Sequence, residues 1–164
     1  MKAFSLTLMI SACVVLAGTA SAQAQAQSAA PAPVAVYDEH ADARAELNQA
    51  LAAARSQHKN VLVVFGANWC PDCRALDGKM KAGALASLVD KRYVLLKVDV
   101  GRFNRNTDLA EQMGVPLKKG IPAAAVLKSD GDVLKATGGG ELADARSMGD
   151  EAVLKVLQDL HGKG

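Results

Sequence analysis

The sequence predicts an α/β domain: a mixed sheet of four or five strands flanked by helices on both faces. Three observations predict it. Val61 to Phe65 and Tyr93 to Val100 are unbroken apolar runs, rich in β-branched residues and separated by helical stretches, the pattern of parallel strands covered on both sides. Asp130-Gly131 sits between two further short β-prone runs, Ala123 to Leu127 and Val133 to Ala136, and marks a hairpin. Helical periodicity precedes the first strand, recurs between the strands and follows the last, which helices on both faces of the sheet account for.

The elements follow in order. Asp42 to Gln57 places Leu47, Leu51 and Ala54 on one helical face. After the first strand, Gly66 to Trp69 turns, and Cys70 to about Lys81 reads as a helix with Pro71 in its first turn, where a missing N–H does no harm. A helix over about Ala84 to Lys91 leads into the second strand, and strand–helix–strand implies a right-handed parallel crossover. Thr107 to Met113 is a short helix stopped by Gly114. Gly138 to Gly140 breaks the chain after the hairpin, and Glu141 to Met148 reads as a surface segment. Asp150 to Leu160 then aligns Val153, Leu154, Leu157 and Leu160 on one side of a last helix.

The N-terminus belongs to no packed element. Lys2, an apolar run from about Leu6 to Ala17 and the small-x-small triplet Ala20-Ser21-Ala22 predict a cleaved signal peptide over 1–22, hence a periplasmic or secreted protein. A lipoprotein reading through Cys13 is weaker, since much of the apolar run lies beyond that cysteine. Residues 23–36, rich in alanine and glutamine with two prolines, predict a disordered tether, leaving a domain over 37–164. That domain is long enough to bury a core without disulfides. With 164 residues, half of them apolar, and a net charge of +2, nothing marks a nucleic-acid binder, and a monomer is expected.

Past the leader, only Cys70 and Cys73 remain as cysteines. As a staple, their four-residue loop would contribute only about 2 kcal/mol. As half of a zinc site they lack partners, because His40, His58 and His161 stand at no ligand spacing, so no metal is expected. Thiol–disulfide exchange fits best. Positions i and i+3 share a helix face, and Cys70 at the helix start meets unpaired N–H groups that favour thiolate, the attacking species. Cys73, one turn deeper, is the candidate resolving thiol. Asp72 places a negative charge beside Cys70, which opposes a second one and predicts a reducing or intermediate potential. A two-thiolate copper carrier, or a binding protein without turnover, stays open as the alternative.

The stretch VLVVFGANWCPDCRALD resembles the active-site strand, turn and helix of the thioredoxin superfamily, and GIPAAAVLKSDGDVL resembles its cis-proline loop and hairpin. The resemblance covers nearly the whole domain and is greatest to secreted bacterial thioredoxin-like proteins. It implies catalysis by Cys70 and Cys73 without a separate cofactor, with Pro71 and Asp72 tuning the potential. Trp69 would shield the rim, Pro122 would be the cis-proline, and Ile121 would offer its backbone to an extended substrate. Protein thiols and disulfides would be the substrates. Because a periplasm is kept oxidising, a membrane thiol reductase would be the electron donor. Three departures stand out: Val64 occupies the place of the family's buried acid, Ala123 follows the proline where threonine is usual, and Pro116 to Lys119 lengthens the preceding loop. Lys97 is either the companion of that missing acid or a strand-edge charge.

Overall fold

Every residue of β1 (Asn60–Gly66) after Asn60 is buried, as a strand covered on both faces requires. The computed structural model describes residues 35–162. The predicted leader, Cys13 and residues 23–34 of the predicted tether lie outside the described residues. β1 pairs in parallel with β2 (Tyr93–Asp99) and antiparallel with β3 (Ala123–Leu127), and β3 pairs antiparallel with β4 (Val133–Ala136). The order is β2-β1-β3-β4, a mixed four-stranded sheet, the lower of the two predicted counts.

Among the described residues five α-helices cover it: α1 (Ala43–Gln57), α2 (Pro71–Met80), α3 (Gly83–Arg92), α4 (Thr107–Gln112) and α5 (Asp150–Leu160). α1 starts where it does because the Asp42 carboxylate accepts the free N–H groups of Arg44 and Ala45 at 3.0 and 3.1 Å. It stops at His58, which turns left-handed.

Alternation along the strands sorts the core into two layers. Val61, Val63 and Phe65 face Ala50, Leu51 and Ala54 of α1 and Leu109 and Ala110 of α4. Leu62 and Val64 face the other way, onto Leu76 of α2, Leu85 and Val89 of α3, and Val153 and Leu157 of α5. Each such aliphatic side chain contributes roughly 1.5–3 kcal/mol on burial, so β1, loaded on both faces, is the strand the fold can least lose.

Two segments differ from the sequence expectation. Glu141 to Met148 is no free surface: Leu142 and Ala145 are fully buried, and the Glu141 carboxylate accepts the N–H groups of Gly138 and Gly139 at 3.2 and 3.0 Å. The triple glycine is thereby closed onto Glu141. Val36, assigned to the tether, also lies against the α1-side core, and its N–H donates to Asn68.

Lys97 resolves in favour of a partner. It lies on β2 opposite Val64, and its Nζ stands 2.8 Å from Asp77 of α2, which is 5% exposed. Lys81 reaches the other Asp77 oxygen at 2.6 Å. The acid absent from Val64 thus has a counterpart descending from the helix above. Burial pushes the Asp77 carboxyl up, but the hydrogen bonds from Lys81 and Lys97 outweigh it and hold the group below the usual carboxylate range. A carboxyl lowered on folding contributes stability above the unfolded value of about 3.9, and that contribution fades as pH falls through the folded value. Asp77→Asn is therefore expected to lose about 2 kcal/mol at pH 7, measured by urea unfolding, with the deficit shrinking below about pH 4.

Candidate active site

The turn from β1 to α2 brings the two cysteines together. Cys70 is the N-cap of α2, in extended backbone, and its Sγ accepts the Cys73 N–H at 3.2 Å, a place usually filled by serine or aspartate. Pro71 follows at the first helical position, where its fixed φ suits the helix. Both cysteines are free thiols, Cys70 3% exposed and Cys73 completely buried. The Cys73 side chain lies beside the Cys70 sulfur. On its other side Cys70 donates to the Ile121 carbonyl at 3.5 Å, and the Ile121–Pro122 peptide is cis. One sulfur therefore touches the helix start and the loop before β3 at once.

Cys73 lies among groups that act in opposite directions. Burial pushes its thiol up, as does the neighbouring Cys70, while hydrogen bonds from the Ala67 backbone and the Tyr37 hydroxyl pull down without overcoming burial. Tyr37 is buried and its own hydroxyl is held well above its ordinary value, first by burial and then by the sulfurs of Cys73 and Cys70 and by Asp77.

Trp69 stands at the rim, 43% exposed, its indole N–H donating to the Gly101 carbonyl at 2.8 Å. Its ring meets Phe103 edge to face at 6.1 Å, and the Arg102 guanidinium lies 5.6 Å from its centroid. Phe103 is 45% exposed and left-handed, at φ 62°, a conformation non-glycine residues adopt only at a cost. The Asp72 carboxylate accepts the Arg146 N–H at 3.0 Å and ties the start of α2 to the segment after Gly140. The three histidines sit apart, His40 before α1 and His58 and His161 at the ends of α1 and α5. Among the described residues, no group of three or more His, Cys, Asp and Glu side chains could hold a metal ion.

Sequence reasoning missed Tyr37, Asn68, Asp77 and Phe103. Asn68 alone carried a hint, since it lies two residues before Cys70. Its side chain accepts the N–H groups of Val36 and Tyr37 at 2.8 and 2.9 Å and donates to the Tyr37 carbonyl at 2.9 Å. No local pattern announces such a clamp across 31 residues.

A thioredoxin-like family profile matches residues 42–129. Among solved structures, the disulphide isomerase from Xylella fastidiosa Temecula1 is 46% identical with a TM-score of 0.72, covering 77% of this chain and 96% of its own. A thioredoxin from Thermus thermophilus is 26% identical with a TM-score of 0.51, over 71% of this chain and 84% of its own. The C-terminal domain of Neisseria meningitidis DsbD, in its oxidised form, shares the fold at 20% identity with a TM-score of 0.54, over 73% and 97%. No curated protein sequence matches the chain. The matched residues run from the cap of α1 through the paired cysteines to the hairpin, and on that footing the chain belongs to the thioredoxin-like family, as a thiol–disulfide oxidoreductase.

Proposed function

We propose that the protein is an exported oxidoreductase that reduces or reshuffles disulfides in other proteins, with Cys70 as nucleophile and Cys73 as resolving thiol. The observation that carries this reading is the Cys70 sulfur at the head of α2, aimed on by the Cys73 N–H and lying beside the Ile121 carbonyl. The Cys70 thiolate attacks one sulfur of a substrate disulfide, forming a mixed disulfide and releasing the second substrate sulfur as a thiol after it takes a proton. Cys73 then attacks Cys70, closing the Cys70–Cys73 disulfide and freeing the first substrate sulfur. Two electrons pass from the protein to the substrate in each cycle. A thiol-bearing electron donor, a membrane thiol reductase for an exported protein, restores the dithiol.

An extended polypeptide suits the surroundings. Ile121 and Pro122 border Cys70 on one side and can pair with a substrate backbone. Trp69 and Phe103 present an apolar shelf on the other, where hydrophobic side chains flanking a disulfide can rest. The 46% identity with a protein named a disulphide isomerase favours reshuffling or reduction. Export rests on the leader-like N-terminus.

Insulin reduction driven by a dithiol tests the assignment. Cys70→Ser is expected to abolish turnover, and Cys73→Ala to accumulate mixed disulfides at Cys70 that can be isolated by gel under non-reducing conditions. Stoichiometric Cu(I) uptake with no insulin reduction by the unaltered protein would overturn it. For the potential, Asp72→Asn removes the charge at the first turn and is expected to make the couple more oxidising, on the order of 20 mV against glutathione. A shift in the reducing direction would show that the Arg146 contact, rather than the charge, is what Asp72 contributes.

A further inference from the structure

Tyr37 lies outside both the Cys-x-x-Cys turn and the proline loop, yet its hydroxyl ends beside the inner sulfur. The Asn68 amide grips the backbone on both sides of the Tyr37 residue, which points the ring beneath the end of β1. Gly66 makes the room. A side-chain carbon there would fall 2.9 Å from Cys73 Sγ and closer still to the Tyr37 hydroxyl. Gly66 has no left-handed backbone to require a glycine and pairs in register with Asp99, so its missing side chain serves space. Oxygen and sulfur share the volume it vacates, with the hydroxyl placed beside the Cys73 sulfur.

We infer that Tyr37 is a positioning residue for the second half of the exchange, its hydroxyl donating a hydrogen bond to the Cys73 sulfur as negative charge appears there. The inference rests on the roles proposed for Cys70 and Cys73. In resolution, the Cys73 thiol gives its proton to the departing substrate sulfur, the Cys73–Cys70 bond forms and the Cys70–substrate bond breaks. In regeneration, Cys73 leaves as thiolate when a donor thiol attacks Cys70. In both directions the charge passes through a completely buried sulfur, and a buried thiolate without a donor is costly. Tyr37 cannot be the base that removes the proton, because burial and the neighbouring Cys73, Cys70 and Asp77 keep its hydroxyl protonated. The other groups facing this pocket are the Ala67 N–H and Asp77, the latter paired with Lys97 and Lys81. Among them Tyr37 carries the neutral hydroxyl that can donate to the Cys73 sulfur.

Reaction with 5,5′-dithiobis(2-nitrobenzoate) separates the steps in one absorbance trace: attack by Cys70 releases the first thionitrobenzoate, and resolution by Cys73 releases the second. Tyr37→Phe keeps the ring and removes the hydroxyl. The second phase is expected to slow about tenfold at pH 7, with its rising pH–rate limb displaced upward by about one pH unit, while the first phase is unchanged. An unchanged second phase, or equal slowing of both phases, would overturn the inference. Absence of a first phase in the unaltered protein would instead overturn the proposed role of Cys70. Should Tyr37→Phe not fold, as judged by near-ultraviolet circular dichroism, 3-fluorotyrosine at position 37 decides. Its shape is nearly the same and its hydroxyl a stronger donor, so a faster second phase supports the inference and an unaltered one refutes it.

Discussion

The first N–H groups of a helix have no partner within it, and in α2 one of them is satisfied by sulfur. Cys70 accepts the Cys73 N–H at 3.2 Å, so the cap that starts the helix is also the atom proposed to react. That single contact sets the separation of the two cysteines, since the residue that caps and the residue capped are the two thiols. It also faces Cys70 toward the Ile121 carbonyl, because an extended N-cap directs its side chain across the helix end rather than along it. The buried end of β1 and the turn through Ala67 hold the helix start in place; without them the cap would have nothing to point at.

Around that contact the molecule places polar groups where a core would ordinarily exclude them. Tyr37 and Asp77 are buried within a layer of aliphatic side chains, each with partners. Asp77 is answered by two lysines, and Tyr37 is held by Asn68 on the backbone with its hydroxyl beside the Cys73 sulfur. A buried polar group without such partners costs free energy comparable to a lost hydrogen bond or more, so these residues are tied into the fold as firmly as the apolar ones. The rim is built differently. Phe103 is exposed in a strained left-handed conformation, held by a loop in which Asn106 donates to the Asp99 carbonyl at 2.7 Å and the Gly101 N–H donates to the Asp99 carboxylate at 2.9 Å. The strained residue brings its ring edge to face against Trp69.

Local chemistry determined most of the architecture. Apolar runs with no polar alternation made β1 and β2 buried parallel strands, Asp130-Gly131 closed the hairpin, and Asp42, set before a helical stripe, began α1. The same local logic placed Cys70 at a helix start with Cys73 a turn behind, because a proline one residue on fits only the first turn. These signals survive in the bare sequence because each depends on neighbours within a few positions.

Only the tertiary structure decided what surrounds the thiols. Val64 opposite Lys97 reads as the loss of an acid, until the packing of α2 over β2 brings Asp77 to that lysine from another element. Tyr37 stands 36 positions before Cys73 in the numbering, with an entire helix and strand between, and reaches it because Gly66 leaves a gap and Asn68 clasps the chain. Leu142 and Ala145 are buried although their segment carries no periodic pattern, since a loop's burial depends on the surface it lands on. Contacts of this kind arise from how layers stack, and a linear pattern records only what each layer is made of.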